Sequence, residues 1–454
     1  MTISTQSTTQ IRGFRAAFLD CIDDPFYHSE KDSIRYIPNG LLVTENGIIK
    51  DFGAYQDLHQ KYSDIPITSY ENLLILPGLI DIHVHYPQTE MIAAYGEQLL
   101  GWLNKYTFPT EAKFKDYEYA QKIAAFFLEE LLRNGTTTAL VLTAVFPESV
   151  DAFFEEAKQR NLRMIAGKVM MDRNAPENLL DTAKTSYEDS QKLIQRWHQK
   201  DRLLYAVTPR FAITSTPEQL TLAGKLIKEY PDVYLHTHLS ENQQEIEFTA
   251  ELYPDCADYL DVYEQFNLVT SKSIFAHGIY LSNSEFNRLS QAKSTIAFCP
   301  TSNLFIGSGL FKLNQAKSER SPIAVGLGTD VGAGSSFSIL RTAHEAYKVT
   351  HLQETVFSGL QGLFLATLGG AKALSLDDKI GNFEIGKEAD FIVVNPQSTP
   401  LMQLRTQQTY PAQTLEEIAD IAFVLMMLGD DRVVHATYIL GELAYQQNSD
   451  FERS

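Results

Sequence analysis

Two histidines one residue apart, His83 and His85, close an apolar run near the start of the chain, and three later apolar runs also end in groups that bind metal or move protons. These are His238 with Glu241 shortly after it, His277, and Asp330. Alternate residues of a strand project from the same face, so the imidazoles of His83 and His85 can grip one ion between them. A lone histidine at a strand end is more often structural, and an H-x-H pair alone is weak. The joint placement of three histidines and an aspartate at strand ends, with His277 beside them, makes a catalytic centre the better reading. Three imidazoles and a carboxylate suit Zn²⁺, with iron or manganese as alternatives set by availability. A catalytic zinc keeps a position for water and lowers its pKa towards ~7. In such a site Asp330 binds the metal and takes the water's proton, while Glu241 protonates a ring nitrogen of a bound heterocycle. His277 either orients the hydroxide or completes the metal shell. His236 lies two residues before His238 and faces the same way, one layer deeper; His238, nearer the strand end and Glu241, is the expected ligand.

The apolar runs that carry these residues number eight: 73–85, 136–144, 162–171, 204–211, 233–239, 273–281, 295–303 and 323–330. Amphipathic stretches separate them, the clearest being 117–134, where Ile123, Phe126, Phe127 and Leu131 define an apolar face and Gly135 a stop. Short buried strands alternating with helices predict a parallel sheet. Eight of them predict an α/β fold, a (β/α)8 barrel whose active site lies at the C-terminal strand ends. Before the barrel, residues 41–53 read as two strands about an Asn46-Gly47 turn. After it, residues 380–395 and 433–445 again have strand composition. Neither chain end has enough apolar residues for a core of its own. Residues 1–72 and 379–454 are therefore expected to form one small β-sandwich flanking the barrel of 73–378, with a terminal helix and frayed last residues.

With 454 residues, 44% of them hydrophobic, the chain exceeds the size at which a single core stops growing, which also favours one large domain and one smaller. The net charge of -19 repels phosphate backbones and anionic lipid, so neither nucleic acid nor a membrane is an expected partner. The three cysteines, Cys21, Cys256 and Cys299, are far apart, which suits a reducing cytoplasm. The N-terminus has no signal-like apolar core, and no run is long enough to span a bilayer.

The segments PGLIDIHVH (77–85), HLSEN (238–242), FAHG (275–278) and GLGTD (326–330) together resemble the amidohydrolase superfamily over nearly the whole chain. The resemblance to its deaminase branch implies one divalent metal on His83, His85, His238 and Asp330, with His277 and Glu241 as catalytic partners. Members with a bridged metal pair use a modified lysine at the end of strand four. Here that run ends TPRF (208–211), and Lys168 lies on run three, so a single metal is expected. HYPQTEMIAAYGEQLLGWLNKYTFPTE (85–111), TPRF and LGDDR (428–432) are similar to the guanine deaminase family. That likeness implies a purine base, guanine, as substrate, Gln88, Arg210 and Phe211 as its binding residues, and a homodimer.

The implied roles are chemically sensible. An amide reads the O6 acceptor and N1 donor of guanine with its two ends, Arg210 donates to O6, and Phe211 stacks on the ring. Trp102 and Phe108, on the same insertion as Gln88, are expected to wall the pocket. One departure is that Thr301-Ser302-Asn303 follows Cys299-Pro300, where this family usually has asparagine directly after the proline. The expected reaction is attack of metal-generated hydroxide on C2 of guanine, with Glu241 protonating N3 and Asp330 passing a proton to the leaving amine, giving xanthine and ammonia. The alternatives are another aminohydrolase, acting on a pterin, adenine-type, cytosine or triazine ring, and a non-enzymatic scaffold of the same fold, which loss of ligands would mark. The zinc deaminases built on H-x-E and P-C-x-x-C are a different architecture, since no C-x-x-C occurs here.

Overall fold

Gly78 divides the first apolar run between two sheets: Ile67–Pro77 joins strands from the chain ends, whereas Leu79–His85 is the first strand of the barrel. The remaining barrel strands in the computed structural model are Thr136–Leu142, Arg163–Gly167, Leu204–Pro209, Tyr234–Leu239, Ser273–His277, Thr295–Phe298 and Ala324–Leu327. Residues 10–95 and 98–447 are described. Neighbouring strands pair in parallel and in chain order, and the short strand Val169–Met170 adds to the edge of Leu204–Pro209. These strands are buried on both faces, which is why the sequence shows near-continuous apolar runs instead of alternation.

The barrel is nearly closed. At its mouth the Asp330 amide donates to the His83 carbonyl oxygen (2.9 Å) and the Thr329 amide donates to Asp81 Oδ1 (3.1 Å), joining the end of strand eight to strand one. Ile80, Ile82, Leu140, Ile165, Ile274 and their neighbours fill the interior below the site, so the barrel is a packed core and not a pore. Helices cover the outside. The helix Tyr117–Arg133 starts where the Asp116 side chain accepts from the Tyr119 amide, and it buries Ile123, Phe127, Leu128 and Leu131. Phe126 departs from the expected apolar face: it is 51% exposed, because the 100° step between consecutive helical residues places it on the flank.

The chain ends form one seven-stranded sheet in the order Glu442–Gln446, Val434–Ile439, Phe391–Val394, Ile67–Pro77, Ile11–Cys21, Ile34–Glu45 and Ile48–Ala54. Asn46 (φ 51°) and Gly47 (φ 83°) make the tight turn between the last two, both in the left-handed region that such hairpins require. Phe14, Phe18, Ile75, Phe391 and Tyr438 make the core of this sheet, the rings of Phe391 and Tyr438 stacked at 4.6 Å. Of the run 380–395, only Phe391–Val394 is strand. We propose a division of the chain near residues 72 and 378, with the change of sheet itself at Gly78. The last long helix of the C-terminal part, Leu415–Leu428, precedes the final hairpin of Val434–Ile439 and Glu442–Gln446; the end expected to fray lies outside the described residues. Among the described residues no helix is long and apolar enough to cross a membrane.

Candidate active site

The period-two geometry of the first barrel strand brings both His83 and His85 to the mouth. Their Nε2 atoms lie 3.3 and 3.4 Å from Asp330 Oδ1, which arrives from the loop after strand eight. From strand five, His238 Nε2 sits 3.3 Å from His85 Nε2. His236, on the same strand, lies behind the cluster, with its Nε2 2.7 Å from His83 Nδ1. All these side chains are buried. Ser240, His277 and Asp330 have φ of +49°, +73° and +50°, so the chain turns sharply at three strand ends, a conformation that costs ~1–2 kcal/mol per residue and is tolerated where surroundings enforce it.

The donor set suits a divalent cation. His83, His85 and His238 form one group of ligand atoms lying within 4.8 Å of one another, and His83, His277 and Asp330 form a second. His83 Nε2 is buried without a hydrogen-bond partner. His238 Nδ1 must donate to the Arg210 carbonyl oxygen (2.7 Å), because a carbonyl only accepts; its Nε2 therefore turns a lone pair to the cluster. Burial holds His83, His85, His236 and His238 well below the usual histidine range, keeping them neutral as metal ligands must be. Buried imidazole nitrogens and a carboxylate oxygen brought this close together make a donor set that a cation would satisfy.

The groups expected to do acid-base work adjoin the same cluster. His277 Nε2 is 3.4 Å from Glu241 Oε2 and 3.9 Å from Asp330 Oδ2. Its Nδ1 faces Asn303 Oδ1 at 2.8 Å, so the hydrogen sits on Nδ1 and the Nε2 lone pair faces the site. Burial pushes the Glu241 carboxyl up to about 8, with the Asp330 charge adding to the rise and the Ser308 hydroxyl (3.1 Å) opposing it. Asp330 rises to about 6, again mainly through burial, with His277 and a Ser302 hydrogen bond acting against it.

Above the cluster opens a small cavity. Gln88, Trp102, Arg210 and Phe211 line it together with His85, His238, Glu241, His277 and Asp330, so the residues expected to read a base face those expected to do chemistry. Phe108 does not line it; the ring lies under the Arg210 guanidinium at 5.7 Å. Leu99, Leu103, Ile306 and Ala333 complete an apolar wall that has no motif signature in the sequence.

Two side chains of consequence escape a sequence reading. Glu111 is fully buried and takes hydrogen bonds from Arg210 Nη1 (3.0 and 2.8 Å) and Gln88 Nε2 (3.1 Å). The signal was a carboxylate within a stretch whose neighbours Phe108 and Thr110 are also buried, but its partners are 23 and 99 residues away. Asn303, in the segment that departs from the family's usual pattern, fixes the His277 ring.

Comparison with known proteins places this geometry among relatives. The amidohydrolase family model matches residues 74–444. A guanine deaminase of Escherichia coli (strain K12) is 52% identical over 442 residues, covering 96% of this chain and 98% of that protein. A crystal structure of guanine deaminase from Bradyrhizobium japonicum superposes with a TM-score of 0.94 at 42% identity, covering 97% of this chain and all of the other. A guanine deaminase from C. acetobutylicum, with guanine bound in its active site, gives 0.85 at 28% identity over 96% of this chain and 100% of that one.

Proposed function

The chain belongs to the amidohydrolase family and, within it, to the guanine deaminases, and from that premise we propose that it hydrolyses guanine to xanthine and ammonia with the residues at its barrel mouth. The observation that carries this reading is the single cavity in which Gln88 and Arg210 face Glu241, His277 and the histidine cluster. Guanine enters with its O6/N1 edge towards Gln88 and Arg210 and one face against Phe211. The Arg210 nitrogens not engaged by Glu111 donate to O6, and the Gln88 oxygen accepts from N1–H. Trp102 closes the wall.

His83, His85, His238 and Asp330 would hold one divalent metal, for which Zn²⁺ is our assignment, with iron or manganese as the alternatives. Such an ion supplies positive charge that lowers the pKa of a water at the site and stabilises charge developing on the substrate. Glu241, whose carboxyl burial pushes up to about 8, delivers its proton to N3, which makes C2 electrophilic. His277, its hydrogen fixed on Nδ1 by Asn303, accepts at Nε2 and orients the attacking water. Asp330 takes a proton from that water and passes it to the amino nitrogen at C2. The C2–N bond breaks, ammonia leaves, the C2 hydroxyl gives up its remaining proton, which restores Glu241, and C2 keeps the oxygen of water as the second carbonyl of xanthine.

A cytoplasmic homodimer with no nucleic-acid or membrane partner completes the reading, supported by the isolated cysteines, the resemblance and the net charge of -19. Purified protein incubated with guanine should release ammonia; metal-replete protein that releases none would sink the proposal.

A further inference from the structure

We infer that Glu111 is a positioning residue that fixes the Gln88 amide with its oxygen presented to the purine, and so sets a preference for bases bearing a hydrogen at N1. The inference rests on the guanine reading above and adds the group that enforces it. Glu111 is fully buried on the segment Phe108–Glu111 and accepts from both Arg210 and Gln88. A carboxylate only accepts, so the amide nitrogen of Gln88 must face it. Turning that amide over would set two acceptors against each other at 3.1 Å, in a place no water reaches.

The amide oxygen consequently points the other way. It lies over Gly332, where an added Cβ would be 2.1 Å from it, and among the described residues it takes no hydrogen bond. Gln88 lines the cavity, so this free acceptor is what a ligand meets. Guanine brings N1–H to it. A base with a lone pair at N1 brings a second acceptor, which the fixed amide opposes.

The test compares guanine with 2-aminopurine, which keeps the amino group at C2 but has a lone pair at N1 and no oxygen at C6. The wild type should prefer guanine by ~10³-fold or more in kcat/KM, as sites that hydrogen-bond a substrate N–H do. Glutamine at position 111 offers both a donor and an acceptor, so the Gln88 amide can turn over. E111Q should therefore lose ~10–100-fold on guanine, mostly in KM, and at least ~10-fold of its selectivity over 2-aminopurine. Equal losses on both bases would reduce Glu111 to a structural residue and overturn the inference. Should E111Q not fold, competition by 1-methylguanine against the wild type decides: the methyl group blocks the acceptor, so binding ~100-fold weaker than guanine is expected, and equal binding overturns the inference. Failure of the underlying reading is separately visible, as wild-type protein that releases no ammonia from guanine.

Discussion

The Nδ1 of His238 lies 2.7 Å from the main-chain carbonyl oxygen of Arg210. One residue at the end of strand four thus sets the tautomer of a metal-ligand candidate through its main chain and lines the base pocket through its side chain. The two tasks are separable, since a substitution removes the guanidinium and keeps the carbonyl. Arg210→Gln should retain metal at wild-type stoichiometry while kcat/KM for guanine falls ~100-fold, the loss of a charged hydrogen bond worth about 2–3 kcal/mol. Metal analysis run beside the kinetics checks it. Metal lost together with activity would show that the side chain also supports the ligand cluster.

How much of this was legible in the sequence follows from the range of the interactions. Burial on both faces writes each barrel strand as an apolar run, and His83, His85, His238, His277 and Asp330 stand at strand ends because the fold exposes only those ends to substrate. The break at Gly78 was invisible, because Leu73–Pro77 and Leu79–His85 are equally apolar while belonging to different sheets. Glu111 and Asn303 were unreadable for another reason. Their roles depend on partners brought close only by folding, and a glutamate or an asparagine carries no periodic signal of its own. Glu111 engages only one terminal nitrogen of the Arg210 guanidinium, so this ion pair leaves the other free for the proposed contact with a base.

Activity should fall on the alkaline side because Glu241 must arrive protonated. Its carboxyl is raised to about 8, so the proton is present below that pH and is lost as pH rises through it. A bound cation pulls the carboxyl the other way, so the alkaline limb of kcat/KM in the metal-loaded enzyme is expected at or below about 8. Glu241→Gln should keep its metal, lose most turnover, and flatten that limb. Unchanged turnover would remove Glu241 from proton transfer.

Metal removal should expose an acid sensitivity of the histidine cluster. The four neutral histidines of the cluster, His83, His85, His236 and His238, have native pKa values well below 6.5 through burial, whereas in the unfolded chain they protonate near that value. At these groups the unfolded state binds more protons below pH 6.5, so their contribution to stability is present above it and is lost as pH drops. The carboxyls of Glu241 and Asp330, raised to about 8 and about 6, take up protons in the folded state first and act in the opposite sense. From pH 7 to 5 the urea midpoint of chelator-treated protein should therefore fall more, or rise less, than that of chelator-treated His238→Asn, which has lost one such histidine, and added Zn²⁺ at pH 7 should raise the wild-type midpoint by mass action. Equal slopes would mean that the histidines are hydrated or already charged.

Gly332 is the point at which the backbone closely approaches Gln88, the proposed reader of the base. Its φ of +120° is one that side-chain-bearing residues rarely adopt, and a Cβ there would fall 2.1 Å from Gln88 Oε1 and 2.6 Å from Gln88 Cβ. Gly332→Ala must therefore push Gln88 off its bond to Glu111, move the loop after Asp330, or both. Backbone strain of ~1–3 kcal/mol should lower the melting temperature by several degrees. The kinetic effect should be larger, with KM for guanine up ~10–100-fold, because displacing an acceptor by an ångström removes its hydrogen bond altogether. Asp330 is two residues away, so metal content measured on the same preparation separates the cases. With full metal and raised KM, Gln88 is the group that moved. With metal lost and KM unchanged in the remaining active fraction, the loop has shifted the carboxylate instead, and the close approach at Gly332 serves Asp330 and not the base.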